Sequence, residues 1–397
     1  MFLLDQPYVS DFLKETLLQH QIPVIKTPAA EVFELPEGVQ FVSEADAISM
    51  FRQHPNTRLL TNSENALGWV AEHLPFTDLP GAADIFKNKV KFRILMRPYF
   101  PTVEYQSVPY TDLHALKLED TIPMPFVLKP AVGFFSLGVY PIYTPQDWQA
   151  ALASLKQEVA QAQSLYPNAV LDTSTFILET LVQGREFAFD AYYGEDGQPV
   201  VLNVFEHLFS GAEDVSDRVY MTNKALMQEF LPQFTEFLHM LNHQLALKNV
   251  VIHVEVRLTN EGVIIPIEVN PLRFGGWCTT ADVTPHACGF NPYVSFFKQQ
   301  APDWPKILAG MGDETYSLVV LDKPGHLRNG QPVLFDWDAV LATFSNPLAH
   351  RVIQDPHHPV FGFVFAKTQP NQLTELHQIL NANLTQYVKT LQTTAAM

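Results

Sequence analysis

Residues 253–276 constrain this chain more than any other stretch. They read His253-Val-Glu-Val-Arg257, a turn at Asn260-Glu-Gly262, then Val263-Ile-Ile-Pro-Ile-Glu-Val-Asn270-Pro-Leu-Arg273-Phe-Gly-Gly276. Both arms alternate with the period of a half-buried strand. His253, Glu255 and Arg257 share one face of the first arm, and Pro266, Glu268 and Asn270 share one of the second. A short glycine-containing loop between two such runs predicts an antiparallel hairpin. Folded back, it brings Glu255 beside Glu268 and Asn270, to within a residue or two of register. Two carboxylates and an amide oxygen gathered there repel unless a cation sits among them. Hard oxygen donors suit Mg²⁺ or Mn²⁺, whose shell is completed by water and a nucleotide's phosphates. The plain alternative is a solvated strand face, so the company the hairpin keeps decides between them.

The 397 residues are too many for one simple core, so roughly two or three packed units are expected. A net charge of −17 argues against nucleic acid or an anionic membrane as partner. No apolar run is long enough to span a bilayer. Asp5 and Asp11 interrupt the N-terminal apolar residues, and no basic segment precedes them, unlike a signal peptide. The only cysteines, Cys278 and Cys288, make neither a disulfide framework nor, with His286, a zinc site. A soluble, cytoplasmic protein is the expectation.

In chain order, residues 1 to about 80 alternate strand and helix cues, with a helix over Val9 to His20 capped by Ser10. They contain no G-x-G-x-x-G fingerprint. Ala82 to Leu95 reads as one basic helix carrying Lys87, Lys89, Lys91 and Arg93, either a solvated face or a phosphate contact. Pro125-Phe-Val-Leu-Lys129 is a strand ending in a lysine, followed by a loop from Gly133 to Gly138. That glycine spacing fits a Walker loop, but Val139-Tyr140 stands where Lys-Ser/Thr is required. Ser136 lacks the glycine of a nucleophile elbow. What remains is a lysine beside a loop whose backbone N–H groups can cover phosphates. Strands are expected from Thr175 to Tyr193 with a turn at Gly184, and one more from Val200 to His207. Gly211 to Asn223 reads as an irregular loop, and Phe230 to Leu247 as a helix. Three further strands and a helix from about Asn371 to Leu391 form a tail with no legible constellation.

Lys129 with its glycine loop, Glu179 through Glu186, and Glu255 through Gly276, in that order, resemble the ATP-grasp superfamily. The resemblance runs from about Lys87 to Gly276. It implies a mixed α/β and α+β protein with three parts. Residues 1–82 would be the open α/β domain that precedes such a module, 83–301 the ATP-grasp domain with ATP between two subdomains, and 302–397 a small C-terminal α+β unit. It also implies roles. Lys89 and Lys129 match the phosphate lysines, the loop with Gly133, Ser136 and Gly138 the phosphate cover, and Glu179 and Val182 the adenine linker. Glu186 matches the ribose acid, and Glu255, Glu268 and Asn270 the Mg²⁺ ligands. The family's Asn-Pro-Arg is interrupted here by Leu272, so Arg273 is its candidate for stabilising the acyl phosphate and Arg257 the substitute.

The activity implied is ATP- and Mg²⁺-dependent: a carboxylate becomes an acyl phosphate and is joined to an amine, releasing ADP and phosphate. Small-molecule carboxylate and amine substrates are then the partners, and a homodimer is the common default. Glu206, His207 and Arg218 lie in segments that could line the acceptor site, although His207 reads equally as a packed strand histidine. Two rivals keep the fold: a non-catalytic ATP sensor, and an enzyme whose acceptor is a thiol. A phosphohistidine relay would need an exposed histidine such as His286.

Overall fold

The computed structural model describes residues 1–133, 138–162, 172–211, 214, 216–327 and 333–389. Near the N-terminus four short strands pair in parallel in the order Phe41–Ser43, Val24–Lys26, Phe2–Leu3, Leu60–Thr61. The Asp11–Gln19 helix packs Leu13 and Leu17 on them, and Ser10 caps it by accepting from the Leu13 N–H. This is the open α/β arrangement expected at that end.

A second, antiparallel sheet runs Tyr105–Pro109, Asp172–Thr180, Phe126–Val132, Tyr140–Ile142. Trp148 and Leu155 of the Pro145–Ala162 helix cover it, against Phe126, Leu128, Phe176 and Leu178. The largest sheet has nine strands among the described residues. Its path is Ile264–Pro271, Val250–Leu258, Arg185–Tyr193, Phe205–Leu208, Val219–Thr222, Thr315–Asp322, Val360–Thr368, Pro347–Val352, with Pro199–Val201 pairing onto Arg185–Tyr193. The Lys224–Leu245 helix buries Phe230, Phe234 and Leu238 against its central strands. No described helix is long and apolar enough to cross a membrane.

Four local expectations are corrected. The basic helix is two: Leu79–Lys87 ends and Lys89–Met96 begins at Asn88, whose extended backbone and side-chain bonds to the Val90 and Lys91 N–H groups cap a new start. The break turns Lys87, Lys89 and Arg93 inward and leaves only Lys91 exposed among the four. The run from Val200 to His207 is two strands, because Asn203 bonds Asp190 with its side chain instead of continuing the ladder. The expected loop from Gly211 to Asn223 contains the strand Val219–Thr222. The C-terminal helix is only Thr374–Leu380. Beyond it Asn383 caps a tight turn, and Val388–Lys389 pairs with Leu334–Phe335.

The large sheet also runs on past residue 302. Val219–Thr222 pairs with Thr315–Asp322, so the tail strands extend the sheet that carries the hairpin. Gly362 makes the close pairing there possible. At φ +151° its missing Cβ would meet the Arg351 carbonyl oxygen across the ladder. Gly362→Ala is expected to lower stability by about 2–3 kcal/mol, read as an earlier urea midpoint at unchanged slope.

Candidate active site

The hairpin forms in the register that matters: Glu255 lies directly opposite Glu268, and His253 opposite Asn270. Between Glu255 and Val256 the register slips, so that Val256 faces Pro266 and Ile267 is the extra residue. Pro266 has no N–H to give a ladder, and the bulge moves it off the face that sequence alternation assigned it. Ile267 and Glu268 both line the cavity as a result.

That cavity, of about 440 Å³, is lined by Lys89, Lys129, Gly133, Glu179, Val182, Glu186, Glu255, Arg257, Glu268, Asn270 and Arg273. Side chains 180 residues and more apart in sequence are thus gathered at one place. Gly138 is not in the lining; its φ of +69° and the approach of Pro130 account for a glycine there. Ser136 lies outside the described residues.

Four charge clusters organise the lining. In the first, Glu64 bonds both Arg273 (Nε at 2.9 Å) and Lys87. Lys87 Nζ also lies 3.3 Å from Asn270 Oδ1 and 3.9 Å from Glu268 Oε1, and Lys89 Nζ lies 3.1 Å from Glu268 Oε2. Burial would raise the Glu64 carboxyl, but Arg273 and Lys87 overcome it and hold it down to about 2. Glu268 is likewise held below the ordinary carboxylate range, burial being outweighed by Lys89 and Lys87.

In the second, Glu179 bonds Arg93 Nε at 2.6 Å and pairs with Lys129, all three nearly sealed from solvent. Burial is again overcome, by Arg93 and Lys129, and the carboxyl sits down at about 2. Lys129 itself is pulled below the usual lysine value, because its burial outweighs the pull of Glu179. In the third, Glu186 accepts from Arg257 at 2.7 Å and contacts His207 Nδ1 at 3.0 Å.

The fourth is a hub at Asp190, a fully buried residue on the strand beside the hairpin. Its carboxylate takes the Gly275 N–H at 2.9 Å, the Thr280 hydroxyl at 2.6 Å, the Asn203 amide at 2.7 Å, and His253 Nδ1 at 2.8 Å. The far nitrogen of His253 lies 3.6 Å from Glu255 Oε1. Burial disfavours the imidazolium, but the Asp190 carboxylate that accepts from it and the Glu255 carboxylate beside it raise its pKa to about 9.

The two arginines proposed for one role stand in different places. Arg257 is spent on Glu186 and the Val182 carbonyl (3.0 Å), whereas Arg273 is held by Glu64 beside the metal-ligand candidates. Glu179 presents a buried ion pair through its side chain, and its strand backbone is laddered to Tyr105 and Val127. His207 lines the cavity with both nitrogens engaged, the second 2.9 Å from the Ser216 carbonyl, and its ring stacks on Tyr220. Glu206 pairs with Arg185 and Arg218 with Asp322; neither lines the cavity, nor does His286. Sequence reasoning missed Glu64 and Asp190 altogether, and saw Lys87 and Arg93 only as members of a charge run. Among the described residues no three of His, Cys, Asp or Glu cluster closely enough to hold a metal. The third oxygen beside the two hairpin acids is the Asn270 amide.

Residues 122–281 match the model of the ATP-grasp domain. No curated protein is matched by sequence. Solved structures are similar over nearly the whole chain. An L-amino acid ligase from Bacillus licheniformis superposes with TM-score 0.64 at 17% identity, covering 98% of each chain. An N5-carboxyaminoimidazole ribonucleotide synthetase from Thermotoga maritima does so with TM-score 0.58 at 14% identity, again covering 98% of each. The biotin carboxylase domain of a Hydrogenobacter thermophilus 2-oxoglutarate carboxylase, in complex with MgADP, ADP and bicarbonate, gives 0.56 at 10%, covering 93% of this chain and 86% of that one. At such identities the likeness speaks for the fold.

Proposed function

The chain carries an ATP-grasp domain, and from the site within it we propose an ATP- and Mg²⁺-dependent ligase that joins a carboxylate to an amine through an acyl phosphate. One observation carries this reading: Glu255 and Glu268 oppose each other in a cavity that also holds Lys89, Lys129 and Arg273. The donor set of two carboxylates and the Asn270 amide oxygen fits a hard divalent cation. When bound, Mg²⁺ would neutralise phosphate oxygens during transfer.

The protein's own groups supply the rest. Lys89 and Lys129 offset phosphate charge, and the residues from Gly133 to Gly138 exclude water that would hydrolyse the intermediate. Val182 and the linker before it read the base through backbone groups, and Glu186 takes the ribose. A carboxylate oxygen of the substrate attacks the γ-phosphorus, and ADP leaves. The amine nitrogen then attacks the acyl carbon, inorganic phosphate departs with the C–O electron pair, and the amine gives up a proton. Arg273, oriented by Glu64, stabilises the transferring phosphoryl group and the tetrahedral oxyanion. No protein nucleophile is required.

The test is ADP release from ATP and Mg²⁺ with a panel of carboxylates and amines, together with trapping of the acyl phosphate by hydroxylamine. Hydroxamate formation supports the ligase; ATP binding with no ADP release across the panel would favour a sensor. A second expectation concerns Asp190. Asp190→Asn leaves His253 without the anion that fixes its ring behind Glu255. Mn²⁺ affinity, followed by electron paramagnetic resonance with an ATP analogue present, should fall about 10–100-fold. An unchanged affinity would separate the Asp190 hub from the metal site.

A further inference from the structure

The same cavity has a wall of a different character. Trp277, Leu318, Val320, His358 and Phe363 line it. Leu318 and Val320 share one face of their strand, and Val320 lies directly opposite Phe363. Trp277 sits in a left-handed turn at φ +54°, between Gly276 and Cys278 with φ of +52° and +67°. A non-glycine residue holds that conformation only where its surroundings enforce it. Here the indole packs 4.5 Å from the His358 ring and 6.1 Å from Phe363.

Nothing on this wall carries a charge. His358 is 5% exposed, and its Nδ1 accepts the Val360 N–H at 3.4 Å. Burial pushes its pKa down to about 4, so the ring is neutral and the proton belongs to Nε2. That N–H finds no hydrogen-bond partner among the described residues.

We propose that this wall receives the side chain of the carboxylate substrate, and that this side chain is uncharged and apolar, of the branched aliphatic, thioether or aromatic class. The proposal rests on the ligase reading. Arg273 precedes Trp277 by four positions on a segment that lines the cavity, so a carboxyl group at Arg273 has the indole wall near it. A donor as small as bicarbonate would leave the aromatic surface uncovered. An ammonium or guanidinium would give up its hydration to stand beside an N–H donor, with no carboxylate among the five wall residues. The lining acid Asp355 accepts the His357 N–H at 2.9 Å and is not one of the five wall residues. A carboxylate side chain would give up its hydration for a single N–H.

The experiment titrates leucine, methionine, phenylalanine, glycine, aspartate and lysine into the full chain with Mg²⁺ and a non-hydrolysable ATP analogue, by calorimetry. The three apolar probes should bind at least about 10-fold more tightly than the others. Val320→Thr, nearly equal in volume, should weaken them several-fold while ATP-analogue affinity holds. Phe363→Leu should reorder the three among themselves. Tighter binding of glycine, aspartate or lysine, no binding of any apolar probe, or an order indifferent to both variants overturns the proposal. ADP release measured in parallel keeps the two ideas apart. ADP formed best with charged or side-chain-free carboxylates removes the apolar wall and spares the ligase. Apolar binding without ADP removes the ligase and spares the wall.

Discussion

Glu268→Gln is expected to lower ADP release by on the order of 10²–10³-fold, with the circular dichroism spectrum unchanged. Glu268 is directly opposite Glu255, and both residues line the cavity. The amide keeps size and shape but removes the charge that is proposed to hold the cation, beside Lys87 and Lys89. The fold should survive, because Lys87 retains Glu64 and Lys89 retains the Gly133 carbonyl at 3.3 Å. Raising Mn²⁺ concentration should recover part of the loss, and Glu255→Gln should fall by a similar factor. The double variant should lose less than the product of the two factors, since the acids act on one ion. Full activity in Glu268→Gln would dismiss the metal assignment and, with it, the acyl-phosphate chemistry.

The largest effect on stability is expected from Glu179→Gln. Arg93 and Lys129 both pair with this one carboxylate in a nearly solvent-free interior, and Arg93 Nη2 has no partner of its own among the described residues. Removing the anion leaves two buried cations with little to offset them, at a cost of about 3–5 kcal/mol. Lys129 can shed its proton in response, since burial already lowers its pKa; Arg93 cannot. Urea unfolding at neutral pH measures the loss, and a change below about 1 kcal/mol would contradict the geometry.

Two buried carboxyls set the sign of the acid limb. Glu64 and Glu179 are held down at about 2 in the folded chain, against 4.5 ordinarily. Between those values the unfolded chain binds protons that the folded chain refuses. Their stabilisation is therefore whole above pH 4.5 and is lost as pH falls towards 2. Glu179→Gln should flatten this limb of the urea midpoint against pH, and Glu64→Gln should flatten it as well. A wild-type midpoint independent of pH over that window would refute both.

How much of this was legible beforehand differs from element to element. Glu255 and Glu268 could be paired from sequence because a tight turn ties adjacent strands and alternation allows few registers. The bulge that turns Pro266 away could not be read, since alternation continues across it. Lys129 was found as a charge at a strand end, and Lys89 as one of four cations in a run. Lys91 has the same appearance in sequence and points to solvent, because the helix break at Asn88, not the charge run, sets the inward face.

Sequence alone determined what lies within a few residues of covalent connection: the hairpin, its facing acids, the lysine at a strand end, and the cap at Ser10. Local periodicity and turn chemistry act there without help from the rest of the chain. Tertiary structure decided which acid each arginine pairs with, giving Glu64 to Arg273 across 209 positions and Glu186 to Arg257 across 71. It also decided that Asp190 stands behind His253 of the hairpin, and that the tail strands supply an apolar wall to the cavity. Each of these depends on burying a charge or a ring beside a partner from a distant segment. No periodicity encodes that pairing, because its energy exists only once the layers have packed.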